Sequence, residues 1–87
     1  MCEKELEEKY SRYTFNLQNV FSNLRVLESS RKVEEVLDLA RRYFEDAKHF
    51  KEKNQTVTAL ISLAYSEGLL DALRILNYVQ FKWVGGE

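Results

Sequence analysis

An all-α fold, an up-down-up antiparallel bundle of three helices, is predicted by three features of this 87-residue chain. It has no proline and only three glycines, which leaves little of the turn chemistry that β-rich folds need. Apolar residues recur at steps of three and four through three long stretches. Two short polar breaks, Ser29-Ser30 and Lys53-Asn54-Gln55, separate those stretches. Connections this short join neighbouring helices that run in opposite directions. A chain of this length supports one small core, so a single domain is expected over residues 1–84, with 85–87 as a flexible end.

Helix 1 is expected over 3–27. Its apolar line, Leu6, Tyr10, Tyr13, Leu17, Val20, Leu24 and Leu27, alternates steps of four and three, and Phe21 widens it. Phe15 and Val26 lie on the opposite, otherwise polar face, as isolated apolar residues often do. One of the two serines should cap helix 2, expected over 31–53, because a serine hydroxyl accepts from the free N–H groups of a first turn. Glu34 and Glu35 near its start and Lys48, Lys51 and Lys53 near its end suit the helix dipole. Its stripe is Val33, Val36, Ala40, Tyr43, Ala47 and Phe50, broadened by Leu37 and Phe44.

Asn54 suits the left-handed residue that ends helix 2, and Thr56 is placed as the cap of helix 3, expected over 56–80. Helix 3 is apolar on two sides. Val57, Ile61, Ala64, Gly68, Ala72, Ile75 and Val79 form one seam, assigned to the bundle interior. Ala59, Leu63, Ser66, Leu70 and Leu73 form a second line on the far side. Helices 1 and 2 share one broad face of helix 3, so this second line reads as an exposed interaction stripe. Its partner would be a second copy of the chain, in a homodimer, or another protein. Coverage from within the chain, by residues 81–84 or a rotated helix 1, is the competing account. Gly68 in mid-helix predicts a close approach by an aromatic of helix 1 or 2.

Net charge is −1, with acids and bases interleaved, so no basic stripe marks a nucleic-acid site. No apolar run is long enough to span a membrane. The charged start, MCEKELEEKY, does not read as a signal peptide. Cys2 is the only cysteine; it allows no internal disulfide and reads as inert in a cytoplasmic protein.

Three segments also carry a resemblance: RYFEDAKHF from Arg42 to Phe50, KNQTVTAL from Lys53 to Leu60, and AYSEGLLDALR from Ala64 to Arg74. They resemble the archaeal domain-of-unknown-function family 357. The resemblance implies a small three-helix bundle of archaeal origin and implies no activity. The family commonly places Gly-Asp at the turn where this chain has Asn54-Gln55.

Candidate chemistry is sparse. Arg42 and His49, with six residues between them, fit the R-x4–6-H spacing of helical ribonucleases resembling the HEPN family. There the histidine would move a proton and the arginine hold a phosphate. Glu35 and Asp46 on the same face oppose RNA, and a solvated helix face is the simpler reading. Arg42, Asp46, Glu67 and Asp71 are expected to form a structural polar cluster in which Arg42 pairs with Glu67 or Asp71, or Arg74 takes Asp71. No Glu-x-x-His pair exists to build a di-metal centre, so no metal or cofactor is expected. The aromatics Tyr10, Tyr13, Tyr43, Phe44, Phe50 and Tyr65 read as core with their hydroxyls at the rim. The sequence therefore points to a non-enzymatic interaction or self-association module using helix 3, with the HEPN-like enzyme as the alternative.

Overall fold

The computed structural model describes residues 3–83. The chain is all-α apart from one small strand pair, in the order α1 (Glu3–Asn23), β1 (Arg25–Val26), α2 (Arg31–Glu52), α3 (Thr56–Ile75) and β2 (Val79–Gln80). Cys2 and the expected flexible end at 85–87 lie outside the described residues.

The boundaries follow from local chemistry. Near the end of α1, Ser22 Oγ donates to the Gln18 carbonyl at 2.9 Å and Asn23 Nδ2 to the Asn19 carbonyl at 2.8 Å. Such short polar side chains compete for backbone partners and weaken a helix interior. The helix stops at Asn23 rather than 27, and Arg25 and Val26 extend to pair antiparallel with Gln80 and Val79. The N–H groups of Leu27 and Glu28 both reach the Tyr78 carbonyl, at 2.8 and 3.2 Å. Ser30 is the serine that caps α2, its Oγ accepting from the Val33 N–H at 3.1 Å.

Helices α2 and α3 end in the same way. Asn54 and Asn77 hold positive φ, 61° and 66°. The Asn54 N–H bonds to the Lys51 carbonyl and the Gln55 N–H to Phe50; the Asn77 N–H bonds to Arg74 and the Tyr78 N–H to Leu73. This is the paired closure of a Schellman motif, with asparagine as the left-handed residue. It ends α3 at Ile75 instead of 80 and turns the chain back toward β1. At the other end of α3 the cap position belongs to Gln55, which makes no capping side-chain bond, and Thr56 is the first helical residue rather than the cap.

Helix α3 packs against both α2 and α1. The core joins Leu17 and Val20 of α1, Val33, Leu37, Ala40, Phe44 and Ala47 of α2, Ala59, Leu63, Leu70 and Leu73 of α3, and Val79 of β2. Phe21 and Phe44 meet with ring centroids 5.3 Å apart. Between α2 and α3, Ser62 Oγ donates to the Tyr43 carbonyl at 2.7 Å and Ser66 Oγ to the Ala40 carbonyl at 2.8 Å. Those two bonds fix which face of α3 lies against α2.

Candidate interaction surface

That face is the reverse of the one assigned from sequence. Ala59, Leu63, Ser66, Leu70 and Leu73, expected as the exposed interaction stripe, are all buried. Of the seam assigned to the interior, Val57, Ile61, Ala64, Gly68, Ala72 and Ile75 face solvent, and only Val79, beyond the helix in β2, is buried. Filling the middle of the core decides the rotation. The buried line offers Leu63 and Leu70 at mid-helix, whereas the other offers Ala64, Gly68 and Ala72. Each buried leucine contributes roughly 1.5–3 kcal/mol, and a helix turned the other way would leave a void at its centre. Gly68 accordingly admits no aromatic neighbour: a Cβ built on it meets nothing within 4 Å.

With Tyr65 and Leu76 the outward seam becomes a continuous surface of eight residues. At about 100° per residue they fill a sector of roughly 120° on α3. Val57, Ile61, Tyr65, Ile75 and Leu76 are 54–67% exposed, and the sector contains no charged side chain, with exposed Thr58 at its edge. Tyr65 is thus a surface residue rather than core, its ring stacked on Tyr43 with centroids 5.1 Å apart. Leu39 of α2, also exposed, lies beside Tyr43 and extends the apolar border.

Asp71 makes its hydrogen bonds to residues outside the expected four. Asp71 accepts from Trp83 Nε1 at 2.8 Å and from Arg74 Nε at 3.3 Å. Arg74 was one of its two expected partners; Trp83 gives no signal in the spacing. Glu67 lines a cleft of about 110 Å³ with Tyr13 and Leu60, on the α1 side. Arg42 and Asp46 line a separate depression with Leu39 and Tyr43 on α2. Arg42 makes no ion pair among the described residues.

Arg42 and His49 are both exposed on α2. Seven positions on one helix separate them by about 10 Å along its axis. His49 is exposed and lies 3.8 Å from Glu52. Among the described residues no group of three or more His, Cys, Asp or Glu could hold a metal ion, and no helix is long and apolar enough to cross a membrane.

A family model described as "Protein of unknown function (DUF357)" matches residues 12–79. The chain belongs to the DUF357 family. The match bears out the resemblance carried by the segments between Arg42 and Arg74, and it runs on to Val79 in β2. No curated protein matches the sequence. The outward face of α3 lies within the matched span of this DUF357 protein. Its first mark in the sequence was the twofold apolar character of helix 3. The signal for its orientation was residue size at mid-helix.

Proposed function

We propose that this DUF357 protein is a non-enzymatic interaction module of the cytoplasm, a single-domain up-down-up antiparallel bundle that docks another protein surface through α3. The observation that carries this reading is the uncharged apolar sector from Val57 to Leu76. Monomeric soluble proteins rarely leave contiguous apolar patches beyond a few hundred Å² uncovered. The sector has no lysine or arginine, so a protein surface suits it and nucleic acid does not.

The test compares the wild-type chain with the double variant Ile61→Glu/Ile75→Glu, both tagged and passed through extract of the source cells. Both positions are exposed, so circular dichroism should report the same fold. Proteins held by the wild type and lost by the variant, a second copy of the chain included, are the expected result. Identical retention by both would end the reading.

A further inference from the structure

We infer that the occupant of this face is a second copy of the same chain, its α3 laid antiparallel across the first with Gly68 on the twofold axis. This rests on the interaction reading above and names the partner.

The first support is self-complementarity. Ile61, Ala64, Gly68, Ala72 and Ile75 follow one another at steps of three, four, four and three. The series reads identically from either end. An antiparallel dyad through position 68 sets 61 against 75 and 64 against 72. Isoleucine then meets isoleucine, alanine meets alanine, and glycine meets glycine. A partner of unrelated sequence has no need of such a palindrome.

The second support is shape. The direction a Gly68 Cβ would take is open, and Ala64, Gly68 and Ala72 are all exposed. Three small residues at the centre let two helix axes approach closely, while an isoleucine pair closes the contact at each end.

Area is the third. Val57, Ile61, Tyr65, Ile75 and Leu76 are 54–67% exposed, so with the small residues the face presents on the order of 650 Å², toward the low end of what a standard interface takes from each partner.

Charge gives the fourth. Nothing on the face would complement a charged ligand. Arg74, the only basic residue of α3, is paired with Asp71 at 3.3 Å. Glu67 turns into the cleft beside Tyr13. An anionic membrane surface, which calls for a basic rim around the apolar stripe, is therefore a poor match.

Sedimentation equilibrium of the wild-type chain from about 10 µM to about 1 mM should give a monomer–dimer equilibrium, and Gly68→Glu should weaken it more than about tenfold by placing a charge on the axis. Position 68 points to open space, so Gly68→Glu should keep the helical spectrum; Ile75→Glu provides a second variant at another exposed site. Orientation is read in a Cys2→Ser background by mixing Ile61→Cys and Ile75→Cys chains under oxidation. Disulfides joining 61 to 75 support the antiparallel pair. Disulfides of 61 to 61 overturn it, as does a wild type that remains monomeric across the range. Binding to vesicles of phosphatidylcholine and phosphatidylglycerol without dimerisation also overturns it. A monomer that still retains another protein in an Ile61- and Ile75-dependent manner sinks this inference and leaves the broader interaction reading standing. A monomer with no such retention sinks both.

Discussion

Exchanging one leucine and one isoleucine of α3 for alanine tests which side of that helix holds the fold together. Leu70 is completely buried, in the core with Leu37, Leu63 and Val79. Leu70→Ala removes three carbons from a packed site and should cost about 2–5 kcal/mol. A stability of roughly 0.05–0.15 kcal/mol per residue gives a chain of this length about 4–13 kcal/mol in total. The substitution therefore consumes a large share of it. With a urea dependence of about 1–3 kcal/mol per molar, the unfolding midpoint should fall by about 0.7 M or more. Ile61 is 54% exposed, and alanine is the better helix former. Ile61→Ala should stay within about 0.5 kcal/mol of wild type.

The assay is urea unfolding followed by circular dichroism at low micromolar concentration, so that self-association adds nothing to the apparent stability. Equal losses at positions 61 and 70, or a larger loss at 61, would refute the orientation of α3 and every argument built on its outer face.

Gly68→Ala should stabilise the folded chain by about 0.5–1 kcal/mol, since the methyl group enters open space and glycine is a poor helix residue; a lower melting temperature would contradict this. Thr14 Oγ1 is buried without a hydrogen-bond partner among the described residues. Thr14→Val, which keeps the shape and removes the unpaired hydroxyl, should be neutral or stabilising by up to about 1 kcal/mol in the same urea assay. Trp83 is the only tryptophan, and its fluorescence reports the bond to Asp71. Asp71→Ala should shift the emission to the red and cost about 1 kcal/mol, allowing for the partial exposure of the pair. Asp71→Asn retains an acceptor for Trp83 Nε1 and should stay near the wild-type emission; an equal shift in both variants would mean that the bond does not hold the tryptophan.

Helices 1 and 2 were legible because each carries a single apolar stripe. A period of 3.6 residues then fixes both the helix and its buried side: Leu17 and Val20 are core in α1, and Val33, Ala40 and Ala47 in α2. Phe15 falls outside, as its place opposite the seam of helix 1 required, whereas Val26 is exposed on β1 and Leu27, placed in that seam, is exposed because the helix has already ended at Asn23. Periodicity could not orient α3, because two opposite lines satisfy it equally. Volume breaks the tie, since core positions at mid-helix need bulk. The short strand pair was hidden for a different reason. Two residues per strand carry no alternation to detect, and Asn77 continued the helical spacing while its left-handed backbone ended the helix. Asn54 occupies the same position at the end of α2, so one asparagine was a guide to the other. The bond from Trp83 to Asp71 depends on the chain reversing at Asn77, and no spacing rule reaches across that turn.

The fold does not require an apolar outer face on α3. At Ile61 and Ile75 the side chains are more than half exposed. A charged residue at such a position in a surface helix would change stability by no more than about 0.5 kcal/mol, and lysine and glutamate are at least as good helix formers as isoleucine. Folding thus tolerates polar residues there, and solubility favours them. The outer faces of α1 and α2 take that course, with Lys4, Glu8 and Arg12 on one and Glu35, Arg42 and Asp46 on the other. On α3 the outward line Val57, Ile61, Ala64, Tyr65, Gly68, Ala72 and Ile75 carries no charge, with Thr58 and Arg74 exposed beside it, and its residues are small at mid-helix. The proposed contact would cover a surface that the fold does not require and that solubility opposes.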